Sequence, residues 1–454
     1  MPRLFGTDGV RGLAGRDISA SLALSLAAAA ARELITENQE MADAGARHLR
    51  ALVGTDSRVS GDMLAAACAA GLASAGVDAV LAGVIPTPGL AYLARTQGYD
   101  LGVMISASHN PFPDNGIKFF AGTGYKLPDA VEDLIEARLS ETWQCATGAT
   151  VGRTRTDPTA DQNYIAALVD SAGASLAGLK VVLDCANGAS FHVAPEVFSR
   201  LGATVVALAN QPDGININDK VGSTHPEALQ KAVVEQGADL GFGFDGDADR
   251  CLAVDAAGQL VDGDQIMGIL AVSLKAEGRL SHDTLVTTVM SNLGLFKAMA
   301  AAGVATVTTA VGDRYVLEEM LRGGYCLGGE QSGHIIMTDH ATTGDGTLTA
   351  VQLACRVAGA GRSLAELAAV VQAFPQVLIN VPGVDKARAD SDLGVLEAVA
   401  AAEAELADSG RVLLRPSGTE PLVRVMVEAA TEDHAKAVAE QLAAVVTERL
   451  ALQQ

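Results

Sequence analysis

Residues 51–106 alternate short apolar runs with amphipathic stretches, and the alternation returns twice further along the chain. In the first block the pattern predicts strands at 51–54, 79–83 and 101–105, with helices at 61–75 and 89–96 between them. In the second it predicts strands at 180–184, 204–208 and 240–244, with helices at 189–201 and 226–236. In the third it predicts strands at 285–289 and 305–310 around a helix at 294–302. Strands joined through helices make sheets covered by helices, so the fold class is α/β. No strict repeat period links the blocks, but they read as three related units. The tail differs: strand 376–381, helix 393–406, strands 411–414 and 422–428 and helix 432–450 give a βαββα order, which suits a small α+β domain. Phe374 and Pro375 read as the linker before it.

A chain of 454 residues is too long for one core, and about three or four domains are expected. The expected boundaries are 1–155, 156–256, 257–372 and 373–454. A formal net charge of −22 argues against nucleic acid and against an anionic membrane surface. It does not forbid an anionic substrate, because screening beyond about 8 Å lets a local basic cluster outweigh the global sign. The stretch 71–94 is apolar but broken by Asp78, Pro86 and Pro88, so it reads as buried αβ structure and not a membrane span. The first six residues lack the apolar core of a secretory signal. Cysteines 68, 145, 185, 251, 326 and 355 are widely spaced, which fits reduced thiols in a cytoplasmic protein.

Four polar loops carry the chemistry. The first, SASHNP at 106–111, follows the apolar run 101–105, so Ser108 stands at a strand exit. Alone, Ser108 reads as a turn hydroxyl; as a phosphate carrier it would need a cation. His109 and Lys118 are near in sequence, and either would stabilise a transferring phosphoryl group as a cation. A tight turn at Asn115 and Gly116 is expected to fold Lys118 back toward the serine.

The second loop holds Asp245, Asp247 and Asp249, three carboxylates in five residues after an apolar run. Oxygen-only ligands select a hard ion such as Mg²⁺. A calcium loop needs Gly at position six and Glu at position twelve, where this chain has Arg250 and Ala256. A solvated acidic turn is the competing reading; Arg250 beside the cluster favours a phosphate near a metal. The third loop, GEQSGH at 329–334, places Glu330, Ser332 and His334 on one face if it is a strand. Glu330 and Ser332 suit sugar hydroxyls or an amine, and His334 suits proton transfer. Asp313 and Arg314, after Gly312, and the GDG run at 344–346 would complete a sugar site. The fourth loop, between two expected strands, offers Arg415, Ser417, Gly418 and Thr419, with Arg424 following; a phosphate cradle and a plain hairpin are both open.

These loops, in this order, resemble the α-D-phosphohexomutase superfamily. The resemblance runs from FGTDGVRG at 5–12 to the loop at 415–419, and so over nearly the whole chain. GEQSGH at 329–334, TTGDG at 342–346 and GININ at 214–218 resemble its glucosamine branch. Val221 departs from the cysteine expected before Gly222 and Ser223, without touching a catalytic role.

The resemblance implies three similar α/β units with mixed sheets and a small C-terminal α+β domain, four domains around a central cleft. It implies interconversion of glucosamine 6-phosphate and glucosamine 1-phosphate through a phosphoserine and a sugar 1,6-bisphosphate, feeding UDP-N-acetylglucosamine synthesis. Ser108 would carry the phosphate and, with Asp245, Asp247 and Asp249, ligate one Mg²⁺. Arg11, Lys118 and Arg250 would surround the reacting phosphate. Glu330, Ser332 and His334 would contact the sugar, and Arg415, Ser417, Gly418 and Thr419 the distal phosphate. The partner is then a small hexosamine phosphate, with no nucleic acid and no membrane; a homodimer is left open. Two rival readings are mutases of glucose or mannose phosphates and a Mg²⁺-dependent phosphatase, although a phosphatase has no need of a second phosphate loop. A non-catalytic sugar-phosphate sensor is a third.

Overall fold

The computed structural model describes residues 3–6, 8–38, 48–417 and 422–452. They divide into two compact units, one of residues 1–290 with 303–370 and one of residues 291–302 with 371–454.

The larger unit contains three sheets. The first is built of β1 (Val10–Leu13), β2 (Arg50–Thr55), β3 (Asp78–Val84), β4 (Leu101–Ile105), β5 (Asp114–Ala121) and β6 (Thr154–Thr156), in the order β1-β5-β4-β2-β3-β6. The second contains β7 (Lys180–Asp184), β8 (Thr204–Leu208), β9 (Leu240–Phe244), β10 (Cys251–Asp255) and β11 (Leu260–Val261), in the order β11-β10-β9-β7-β8. The third contains β12 (Thr284–Thr288), β13 (Ala305–Thr309), β14 (Leu327–Gly329) and β15 (Ile335–Met337), in the order β13-β12-β14-β15.

One pattern underlies all three. The leading strand (β2, β7, β12) lies between two parallel partners, and the third strand of the set (β4, β9, β14) is flanked by an antiparallel fourth (β5, β10, β15). Parallel neighbours need helical crossovers, whereas an antiparallel pair closes with a short loop. Each of the first three polar loops is that closing loop: 106–113 after β4, 245–250 after β9 and 330–334 after β14. They therefore leave the carboxyl ends of buried parallel strands, where α/β folds place their ligands. β4 and β9 are buried at every position, which is why they read as unbroken apolar runs. The mixed sheets flanked by helices agree with the expected fold class.

Two local expectations are corrected. Asn115 and Gly116 form no turn; they lie inside β5, where Gly116 opposes Arg11 of β1. Lys118 is brought to the serine end by strand pairing, opposite Met104 of β4. The stretch Glu330 to His334 is no strand but the turn between β14 and β15, closed by Glu330 N–H to the His334 carbonyl at 3.0 Å. The Ala-rich helix Ala20–Glu37, which precedes the alternating blocks, is an element the pattern does not reveal.

The smaller unit is a three-stranded antiparallel sheet of β16 (Gln376–Pro382), β17 (Arg411–Pro416) and β18 (Leu422–Glu428), in the order β16-β18-β17, with helices Leu393–Leu406 and Glu432–Leu450. Helix Leu293–Ala301 joins it through buried Glu428. That carboxylate accepts from Asn292 Nδ2 at 3.1 Å, Leu293 N–H at 2.9 Å and Arg411 Nε at 2.6 Å. All six cysteines are free, and Cys145 alone of them is exposed. Among the described residues no helix is long and apolar enough to cross a membrane.

Candidate active site

Ser108 is 2% exposed and sits in the left-handed region at φ +52°, a conformation that costs a non-glycine residue about 1 kcal/mol or more. A buried scaffold compensates. Arg58 donates from Nη2 to the carbonyls of Ser108 (2.9 Å) and Asn110 (2.8 Å) and from Nη1 to that of Pro111 (2.6 Å). Its Nε is paired with Asp56 at 2.9 Å. Asp56 in turn accepts from Ser106 Oγ at 2.6 Å, and Ser106 Oγ accepts the Ser108 N–H at 2.9 Å. From the second sheet's side, Asn218 Nδ2 donates to the Ser108 carbonyl at 2.9 Å. The loop is thus set before any ligand arrives.

The acidic loop meets it directly. Ser108 Oγ donates to Asp245 Oδ2 at 2.7 Å. Gly246 lies so close that a Cβ there would stand 2.5 Å from the Ser108 carbonyl oxygen. Backbone bonds hold the acidic loop from several directions: Ala189 N–H to the Gly246 carbonyl (2.8 Å), Thr87 N–H to that of Asp247 (3.0 Å), Gly346 N–H to that of Ala248 (3.0 Å).

The three carboxylates are buried, and one oxygen from each lies within 4.8 Å of the others. Asp247 Oδ1 and Asp249 Oδ1 are shut from solvent without a hydrogen-bond partner. Burial, then the Asp249 and Asp247 charges, pushes the Asp245 carboxyl well above its usual range; burial and Asp247 also raise Asp249. Burial opposes ionisation of Asp247 too, but the Lys118 ammonium and the Thr87 hydroxyl outweigh it and hold this carboxyl down at about 2. Orphaned oxygens on a hard, oxygen-only donor set fit Mg²⁺.

Cations ring the cluster. Lys118 Nζ, 2% exposed, lies 2.9 Å from Asp247 and 2.8 Å from Asp8. Burial works against its charge, but Asp247 and Asp8 outweigh it, so Lys118 is an ammonium. Asp8 also pairs with Arg11 and with Lys126, whose Nζ reaches Asp313 at 2.5 Å. Arg250 Nε stands 3.8 Å from Asp249 Oδ1, and Nε of both Arg250 and Arg11 is buried without a hydrogen-bond partner. His109 Nδ1 is 3.2 Å from Ser108 Oγ. Burial, then Arg250 and Arg11, pushes its imidazole down to about 4, so at neutral pH His109 is a neutral ring and not the cation expected from its position.

His334 is 3% exposed, with its Nε2 3.9 Å from Asp249 and 3.8 Å from Asp313, and neither ring nitrogen has a hydrogen-bond partner. Glu330 accepts the Gly312 N–H at 3.0 Å, while Ser332 is exposed. Arg314 pairs with Asp129 and donates to the Leu127 carbonyl, both beside the first sheet.

In the smaller unit, Arg415 and Arg424 are cross-strand partners. Burial, then Arg424, lowers the Arg415 guanidinium, and Arg424 Nε is buried without a partner. Ser417 N–H donates to the Leu422 carbonyl at 2.9 Å, and Lys386 Nζ to the Ser417 carbonyl at 2.6 Å. Gly418 and Thr419 lie outside the described residues.

Asp56, Arg58, Thr87, Asp8 and Lys126 were not singled out by sequence reasoning. A charged pair just past the end of β2, at 56 and 58, and the FGTDGVRG run that contains Asp8 are the local signals that point to any of them.

Comparison with known proteins agrees with this geometry. Models of the phosphoglucomutase/phosphomannomutase α/β/α domains I, II and III match residues 2–144, 162–258 and 262–374, and the C-terminal domain model matches 378–445. A phosphoglucosamine mutase from Bifidobacterium animalis subsp. lactis is 59% identical over the full length of both chains. One from Acidothermus cellulolyticus is 60% identical, covering 99% of this chain and 96% of its own. A phosphoglucomutase/phosphomannomutase family protein from Burkholderia thailandensis superposes with a TM-score of 0.81 at 23% identity, covering 98% of this chain and 97% of the other. N-acetylphosphoglucosamine mutase of Aspergillus fumigatus, in complex with GlcNAc-6P and magnesium, shares the fold at a TM-score of 0.64 and 19% identity, covering 80% of this chain and 92% of its own. With full-length identity at this level and all four domain types present in order, the chain belongs to the phosphoglucosamine mutase family of the α-D-phosphohexomutases.

Proposed function

We propose that the protein interconverts glucosamine 6-phosphate and glucosamine 1-phosphate by passing a phosphoryl group through Ser108. The observation that carries this is the Ser108 hydroxyl on Asp245 beside two buried, unpartnered carboxylate oxygens. In the first step a sugar hydroxyl attacks phosphorylated Ser108. The serine P–O bond breaks, a sugar P–O bond forms, and the hydroxyl proton passes through a base to the serine oxygen. The resulting 1,6-bisphosphate reorients, and its other phosphate returns to Ser108 by the reverse chemistry.

Mg²⁺ held by Asp245, Asp247 and Asp249 would supply Lewis-acid charge at the transferring phosphoryl group. Lys118, Arg11 and Arg250 stabilise the charge that develops there. Lys118, an ammonium between two carboxylates, is a poor base. His334, with both ring nitrogens unpartnered, is the better one. Glu330 and Ser332 contact the sugar in this reading. Arg415, Ser417, Gly418, Thr419 and Arg424 hold the non-reacting phosphate. Asp313 and Arg314 flank the sugar in this reading, with Arg314 engaged by Asp129. A cytoplasmic location and a small hexosamine phosphate as partner complete the proposal.

The test is direct. Ser108→Ala should lose at least about a thousandfold in turnover, and intact-mass analysis should show one phosphate on the wild type that the variant lacks. Normal turnover by Ser108→Ala would sink the proposal.

A further inference from the structure

We propose that Thr87 is a positioning residue for the metal: its hydroxyl occupies one oxygen of Asp247 so that the other faces the cation. This rests on the assignment of Asp245, Asp247 and Asp249 to Mg²⁺.

Thr87 opens helix Thr87–Thr96, which packs on the first sheet, and it is fully buried. Its Oγ1 donates to Asp247 Oδ2 at 2.7 Å, and its N–H donates to the Asp247 carbonyl at 3.0 Å. Lys118 Nζ donates to the same Oδ2 at 2.9 Å. The other oxygen, Oδ1, is shut from solvent and has no hydrogen-bond partner.

A carboxylate's two oxygens are chemically equivalent, and its last torsion is soft. Two donors on Oδ2 end the equivalence and leave a single oxygen for a ligand. Lys118 alone would not fix the plane, since an ammonium on a long stem follows its partner. Thr87 has no such freedom. Pro86 and Pro88 flank it, its backbone is committed to the helix start, and its β-branched side chain is stiff. The helix's positive end also favours an ionised Asp247. Outer partners of this kind typically set metal affinity by about ten- to a hundredfold.

A merely structural Thr87 would tie the first-sheet helix to the acidic loop and leave metal affinity alone. Two variants separate the readings. Thr87→Val keeps the shape and the backbone bond but removes the hydroxyl; Thr87→Ser keeps the hydroxyl. Mg²⁺ is titrated calorimetrically, without sugar, into wild type and both variants, each dephosphorylated as verified by intact mass. Thr87→Val should bind Mg²⁺ roughly ten- to a hundredfold more weakly, and Thr87→Ser within about threefold of wild type. Should Thr87→Val fail to unfold cooperatively without metal, Thr87→Ala replaces it with the same expectation. Equal affinity in wild type and the hydroxyl-free variant would overturn the proposal, as would a Thr87→Ser protein as weak as that variant. No Mg²⁺ binding by the wild type would overturn the metal assignment itself.

Discussion

Two groups of like charge in this protein, opposite in sign, are built differently. The loop at 245–250 gathers three buried carboxylates and is sewn down by backbone donors from Thr87, Ala189 and Gly346. Pairing of β17 with β18 sets Arg415 opposite Arg424 across the sheet, with no carboxylate paired to either among the described residues. In the first, rigid surroundings hold like charges together, and Lys118 partly offsets them. In the second, two like charges face each other on neighbouring strands, an arrangement that destabilises unless an anion lies across it. The acidic loop offers a cation a preformed set of oxygens; the arginine pair, in the proposed function, is completed by the non-reacting phosphate.

Removing Lys118 should break that contrast most severely. Lys118→Met leaves Asp247 buried without its ammonium and takes one of three cations from half-buried Asp8. Losing one partner of a buried pair costs about 3–5 kcal/mol, which denaturant unfolding would read. Turnover should fall by about a hundred- to a thousandfold, because the charge beside the reacting phosphate goes with it. A variant of normal stability would show that the acidic loop does not depend on this cation.

The arginine pair should respond in the opposite sense. Arg424→Gln removes a like-charge neighbour, so the free protein should gain up to about 1 kcal/mol in stability. KM for the sugar phosphate should meanwhile rise roughly ten- to a hundredfold, as expected for a lost charge-assisted hydrogen bond. A drop in stability together with an unchanged KM would place Arg424 outside any phosphate site.

A pH-dependent effect concerns His109, which lies between the two cases, a base kept neutral by burial and by cations. Its folded value of about 4 lies below the unfolded value of about 6.5. The unfolded chain therefore takes up the proton first on acidification. The stability due to neutral His109 is complete above about pH 6.5 and is lost as pH falls toward 4. Unfolding of wild type and His109→Gln, compared at neutral pH and near pH 4.5, should show the wild type losing more. Equal losses would mean that His109 is not held neutral.

The legible parts of the fold were the unbroken apolar runs. The runs 101–105, 180–184, 204–208 and 240–244 are apolar enough for their ends to coincide with β4, β7, β8 and β9. The antiparallel fourth strands were harder to see. β5 carries Asp114, Asn115, Gly116 and Lys118, so its sequence imitates a turn while its backbone is fully paired. The 330–334 turn showed the converse: an alternating pattern that suggested a strand proved to be a tight bend with Gly333 at φ +89°. In the candidate site, Ser108, the three aspartates and Lys118 were legible because they cluster in sequence and have distinctive chemistry. Asp56 with Arg58, and Thr87, were not, because each acts on a loop that lies far away along the chain.

The sequence by itself determined that helices cover sheets, that a serine, an acidic triplet and an arginine loop follow strand ends, and that hard-cation and phosphate chemistry suits them. Those conclusions follow from local periodicity and from the donor atoms each side chain carries. Only the tertiary structure decided which oxygen of Asp247 is free, that His109 is neutral, and what holds Ser108 in a left-handed backbone. Each depends on burial and on partners distant in sequence, and a charge's behaviour in a protein interior is set by what surrounds it.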